Sequence, residues 1–307
     1  MKKIILFLLL TTFAFADLTF DLKNAVKKND VTKIKSLLEK GAVPDADIVN
    51  QALKNKKYEL FNLLIDTGID VNSTGSEGVS VFSNACMYGN REIVKNLIGK
   101  GAGIYSKNKY GNTPIYSAIE ADNKEIVELL IEEGSDVNDY NNAWYTPLMY
   151  AASRNSKNVA QTLIDNGAKI DFGFREFITS YNPVLVACAK NSKEVLEILI
   201  KNGADLDVTS KDGITPLIFA AASNFVDIME ILLRENPELD LDASATNTQN
   251  ALLFAAMSGA MEAVEFLVVN GADIDYEDQT GKTALMFAKS KRKNEIVDFL
   301  IEAGAQE

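Results

Sequence analysis

One interval constrains this chain more than any other feature. A glycine recurs at Gly68, Gly101, Gly134, Gly167 and Gly203 in steps of 33, 33, 33 and 36, and Gly271 to Gly304 is again 33. Behind it stands an Asp-hydrophobic-Asp/Asn step, as in Asp70-Val71-Asn72, Asp136-Val137-Asn138, Asp205-Leu206-Asp207 and Asp273-Ile274-Asp275. A second marker keeps the same phase: Thr113-Pro114-Ile115, Thr146-Pro147-Leu148, Asn182-Pro183-Val184, Thr215-Pro216-Leu217, Asn250-Ala251-Leu252 and Thr283-Ala284-Leu285. A repeat this short cannot close a core of its own. Each copy must bury its apolar face against the next, which makes the architecture a stack.

Each repeat parses into known local devices. Threonine caps a helix and proline suits its first turn, where the missing N–H costs nothing. Small residues such as Ala151 and Ala152 come next, at positions where helices approach closely. A second helix succeeds them. In residues 124–131 the apolar Ile126, Val127, Leu130 and Ile131 share one helical face, and Gly134 ends the helix in the left-handed cap that glycine adopts without strain.

These residues resemble the ankyrin repeat, a helix-loop-helix unit with a β-turn finger. The resemblance implies an all-α solenoid over essentially the whole chain after residue 16. Nine repeats are expected: a degenerate N-terminal cap at 17–45, then 46–75, 76–108, 109–141, 142–177, 178–210, 211–245, 246–278, and a truncated C-terminal cap at 279–307. Lys23, Lys27, Lys28, Lys291, Arg292 and Lys293 are expected on outward faces that no neighbour covers. The family's histidine after Thr-Pro-Leu is replaced throughout, by Tyr116, Met149, Leu185, Ile218, Leu253 and Met286, which exchanges a polar network for apolar packing. Trp144 occupies the turn-glycine slot of Gly111, Gly213 and Gly281, so its finger is expected to take a different conformation, and the insertion before Asn182 points the same way.

Met1 to Ala16 reads as a secretory leader: basic at Lys2 and Lys3, apolar from Ile4 to Leu10, with an Ala-x-Ala ending at Ala14 and Ala16. The apolar run is too short for a membrane anchor. Cleavage after Ala16 removes two lysines and takes the net charge from −12 to −14. The short leader and a Lys/Asn/Ile-rich composition point to bacterial export, to the periplasm or beyond, with no membrane insertion after cleavage.

Composition removes several function classes. With 31 basic against 43 acidic residues the chain lacks the basic stripe that nucleic-acid binding needs. It contains no histidine, which excludes Ser-His-Asp and Cys-His hydrolysis, His-containing zinc sites and His-ligated haem. Cys86 and Cys188 stand three repeats apart, roughly 25–30 Å at ordinary helix spacing, whereas a disulfide needs Cα atoms within about 7 Å. Both are expected to be buried and inert. Gly281-Lys282-Thr283 mimics the end of a phosphate-binding loop, but Tyr276 stands where that loop needs glycine. The acid pairs Asp205/Asp207, Asp240/Asp242 and Asp273/Asp275 lack the glycine and late glutamate of a calcium loop and are read as solvated finger acids. Asn72-Ser73-Thr74 forms a glycan acceptor with Asp70 two residues upstream. No metal, cofactor or catalytic constellation is expected.

Resemblance implies that fingertips and first helices present a concave face to a protein partner. Position by position, that face takes in Tyr88, Tyr110, Asn112, Trp144, Tyr145, Arg154, Tyr181, Lys190, Lys211 and Asp212. Tyrosine, tryptophan and arginine tend to dominate interface energies. Two readings stand at Trp144 and Tyr145: partner anchors, or aromatic packing of a non-standard finger. The leading expectation is a non-enzymatic, monomeric, exported protein-binding scaffold. The alternative is a helper or delivery factor for an exported enzyme, since some bacterial ankyrin proteins are associated with catalases and peroxide defence.

Overall fold

The computed structural model describes residues 17–171 and 181–306. Residues 1–16, read above as a leader, and the insertion before Asn182 lie outside the described residues. Two compact blocks are present: one runs to Asp136 and includes Tyr140–Ala143, and the other holds Val137–Asp139 and the chain from Trp144 onward. In the N-terminal block α1 (17–28) is followed by α2 (Val31–Glu39), α3 (Ala46–Lys54) by α4 (Tyr58–Ile65), α5 (Val81–Tyr88) by α6 (Arg91–Gly99), and α7 (Pro114–Glu120) by α8 (Lys124–Glu132). The C-terminal block contains α9 (Pro147–Arg154), α10 (Lys157–Asp165), α11 (Pro183–Ala189), α12 (Lys193–Lys201), α13 (Pro216–Ala222), α14 (Val226–Glu235), α15 (Ala251–Ser258), α16 (Met261–Val269), α17 (Ala284–Ser290) and α18 (Asn294–Glu302). First helices pack on first helices, α3 on α5 on α7 and α9 through α17 in odd sequence; among second helices α6 packs on α8, and α10 through α18 pack in even sequence. The described residues are all-α, with one isolated antiparallel bridge between Thr74 and Ser80.

The helix starts obey the cap chemistry. Thr146 and Thr215 accept the backbone N–H three residues on at 3.2 Å, Asn182 at 2.9 Å and Asn250 at 3.0 Å. Thr113 departs from the pattern and makes no such bond. Second helices α12 and α16 have no cap of their own. Their caps come from the preceding repeat: the Asn155 side-chain oxygen accepts from the Val195 N–H at 3.3 Å and that of Asn224 from the Ala263 N–H at 2.9 Å. Both asparagines sit at positive φ, +54° and +59°, which aims their side chains forward to the next helix.

The Asp-x-Asp/Asn step is also a bracket between repeats: Asp205, Asp207, Asp240 and Asp273 are exposed, while Asp242 and Asp275 are half-buried. Its first acid accepts the N–H two residues on, at 2.9 Å for Asp70 and Asp205 and 3.1 Å for Asp273. The second residue reaches the next repeat. Asn72 accepts from the Gly103 N–H at 2.8 Å and donates to the Gly101 carbonyl at 3.0 Å; Asn138 does the same with Lys169 and Gly167, at 2.9 and 3.1 Å. Asp242 and Asp275 accept from the Asp273 and Gln306 N–H groups, at 3.1 and 2.8 Å. These side chains answer main-chain donors that would otherwise lack partners.

The fingers are tight turns in which Gly111 donates to Asn108 at 2.9 Å and Gly213 to Ser210 at 3.0 Å. Their turn residues hold φ of +75° and +73°. Trp144 holds φ +62°, so its backbone takes the same left-handed conformation instead of a different one. At this slot the expected departure is absent: the backbone angle matches that of the turn glycines although a bulky side chain stands there. In the last finger Asp278, 8% exposed, accepts from Thr280 Oγ1 at 2.7 Å and from the Thr280 and Lys282 N–H groups at 2.8 and 3.2 Å. Chiefly the Thr280 hydroxyl, with these amides, holds its carboxyl down at about 2. Because the folded value lies below that of the unfolded chain, near 4, the contribution is complete above that value and fades as pH falls toward the folded one. Unfolding midpoints measured from pH 5 to about 2 should fall with acid, and Asp278→Asn should flatten that slope by part of one proton.

The histidine slot is filled with apolar packing, as the sequence implies. Tyr116, Met149, Leu185, Ile218 and Leu253 are at most 1% exposed, whereas Met286, in the last first-helix, is 41% exposed because no described helix pair covers it. Cys86 and Cys188 are free and buried, and burial pushes both thiols well above their ordinary range. Lys23 and Lys27 are exposed, as expected of an end repeat, and with α3 they border a hollow in the N-terminal block.

Candidate functional site

The expected face divides between the two blocks. Tyr88, Tyr110 and Asn112 belong to the N-terminal one. Tyr88 ends α5, half-buried, and its carbonyl accepts from the Tyr58 hydroxyl at 3.0 Å. Tyr110 stands at a fingertip, 60% exposed, with Lys109 Nζ 4.9 Å from its ring centroid. Its carbonyl accepts from the Asn142 N–H at 3.0 Å, which ties this finger to the next. Asn112 is a bracket of the same kind: its side-chain oxygen accepts from Asn141 Nδ2 at 2.8 Å.

The remaining candidates belong to the C-terminal block. Trp144 and Tyr145 are half-buried. Burial first, and then the nearby Tyr181, push the Tyr145 phenol upward. Tyr181 lies against Phe219, ring centroids 5.7 Å apart and planes tilted by 52°. Tyr145, Tyr181 and Phe219 thus form an aromatic row over successive repeats. Arg154, exposed at the end of α9, lies 5.4 Å over the Tyr150 ring. Lys190 succeeds α11, exposed, and Lys211 and Asp212 occupy an exposed fingertip whose Asp212 carbonyl accepts from the Thr246 N–H at 2.9 Å.

Tyr150 and Phe219 are absent from the face expected on sequence grounds. Both fall four residues after the capping threonine, Thr146 and Thr215, and Phe254 stands four after Asn250. The period that locates the caps also locates these rings. Asn72, the glycan acceptor, is exposed, and its amide is committed to Gly101 and Gly103.

The arrangement is suited to holding a surface against another surface. Among the described residues no group of His, Cys, Asp and Glu is placed to hold a metal ion, and no helix is long and apolar enough to cross a membrane. Helix pairs joined by stacked fingers define a repeat-built scaffold for protein–protein interaction. A family model described as ankyrin repeats in three copies matches residues 82–173 and 238–307, and a second, ankyrin repeats in many copies, matches 184–233. The chain belongs to the ankyrin-repeat family, whose members are typically non-enzymatic. No curated protein matches it.

Proposed function

We propose that this chain is an exported, non-enzymatic scaffold that captures a protein partner through the fingers and first helices of its C-terminal block. The observation that carries the reading is the half-buried row of Tyr145, Tyr181 and Phe219, with Trp144 next to Tyr145 in the chain and Arg154 over Tyr150 in the same repeat. Large rings held part-exposed by their neighbours lose little conformational freedom on binding, which is why such residues concentrate interface energy. Lys190, Lys211 and Asp212 supply polar contacts around it, and Tyr110, with Tyr88 and Asn112, is a second, separate candidate set. The export element rests on the leader. Fractionation of the host and a mature N-terminus at Asp17 would support it; a cytoplasmic chain that keeps Met1 would refute it.

The test of capture is Trp144→Ala combined with Tyr145→Ala, followed by affinity capture from periplasmic extract. We expect at least about tenfold less partner retained with an unchanged helical circular dichroism spectrum. Loss of the helical signal would mean that the two rings pack the finger and would overturn the reading.

A further inference from the structure

The charges of the C-terminal block are sorted by their place within the repeat. Counted from the capping residue, Lys211 stands four before it, at a fingertip, and Tyr145 and Tyr181 stand one before it. Phe219 stands four after its cap, and Arg154 and Lys190 stand eight after theirs, at the ends of α9 and α11. The aromatic row thus lies between a fingertip cation and helix-end cations. Lys190 and Lys211 are exposed and make no ion pair among the described residues. With Asp212 beside Lys211 counted in, the set keeps a net positive charge in a chain whose net charge is −12.

The second helices carry the opposite sign. α16 and α18 hold Glu262, Glu265, Glu295, Asp298 and Glu302 with no lysine or arginine. In α12 and α14, Lys193 pairs with Asp227, and Arg234 pairs with Glu235 at 2.8 Å and Glu197 at 3.6 Å. An acidic partner is therefore repelled from the second helices and drawn to the row, and repulsion elsewhere selects one face as effectively as attraction at it. Spacing adds a second constraint. Helices packed side by side stand about 8–10 Å apart, and an extended chain advances about 3.3 Å per residue. Three residues of a strand match one repeat, so every third side chain can meet the row while those between reach the cations.

We propose that this face takes an extended acidic segment of a partner protein, with an apolar residue at every third position on the row and carboxylates between them on Arg154, Lys190 and Lys211. The proposal rests on the row being the capture face and adds the chemistry of what is captured. The test is fluorescence polarisation of a labelled heptapeptide, Leu-Glu-Asp-Leu-Glu-Asp-Leu, titrated with the full chain. Two control peptides carry lysine in place of every acid, or serine in place of every leucine. The acidic peptide should bind saturably, and both controls at least about tenfold more weakly. Raising the salt from about 0.05 M to about 0.5 M should weaken the acidic peptide several-fold, because exposed charges are screened. Lys190→Gln with Lys211→Gln, both at exposed positions, should weaken it by about tenfold with the unfolding midpoint unchanged. Trp144→Ala with Tyr145→Ala is titrated in parallel. Should that variant lose every peptide while the lysine peptide binds the native chain as tightly as the acidic one, the acidic partner is ruled out and capture by the row stands. Should the variant remain helical and still hold the acidic peptide, the row is not the capture face and both readings fall. An acidic peptide that does not saturate the native chain overturns the proposal by itself.

Discussion

Gly111→Ala should destabilise the N-terminal block by about 3 kcal/mol, while Gly101→Ala, at a helix end, should cost about 1 kcal/mol. Both glycines have positive φ, +75° and +87°, so both substitutions incur the left-handed penalty of an L side chain. Their surroundings differ. A Cβ at Gly101 would meet nothing within 4 Å, whereas one at Gly111 would lie 2.4 Å from Asn142 Oδ1 and 2.6 Å from Asn142 N. Relief requires moving the next finger, which loses the 3.0 Å bond from the Asn142 N–H to the Tyr110 carbonyl. Urea unfolding of the two variants reads the difference directly. Equal losses would mean that the left-handed backbone alone demands glycine, and that the fingers do not lean on one another.

Asn250→Ala should cost about 3 kcal/mol, and Asn250→Thr should recover roughly half of it. Asn250 occupies the threonine slot ahead of α15 and is 0% exposed. Its oxygen caps Leu253 at 3.0 Å, and its Nδ2 donates to Asp242 Oδ1 at 2.9 Å. Alanine removes both bonds and strands the carboxylate of a bracket residue, which also holds the Asp273 N–H of the next repeat. Threonine restores the cap but has no second donor that reaches Asp242. Urea midpoints for the pair therefore separate the local cap from the link between repeats. A threonine variant no better than alanine would place the whole effect on Asp242.

Much of the molecule is legible in the sequence because helix starts, helix ends and turns are set by local rules. Thr146 and Thr215 cap as their position demands, Gly134 turns at φ +102°, and the apolar residues in the histidine slot are buried in every case but Met286. Trp144 goes against the local rule that bulky residues avoid positive φ, which is why its backbone angle could not be read from its side-chain type. Phe219 and Tyr150 carry no motif of their own, although their positions keep the same period as the caps. The lysines of α1 are exposed, as an end repeat implies, but the hollow they border beside α3 depends on how α1 and α3 pack.

Composition and periodicity by themselves determined the repeat, its helices and its lack of histidine chemistry, since these depend on side-chain type and on backbone sterics over a few residues. Only the tertiary structure decided which acids bracket neighbouring repeats, which asparagines cap a helix one repeat onward, and which turn glycines are hemmed in. The physical reason is distance along the chain: those partners are about thirty to forty residues apart, as Asn224 is from Ala263, and whether they meet depends on how repeats pack.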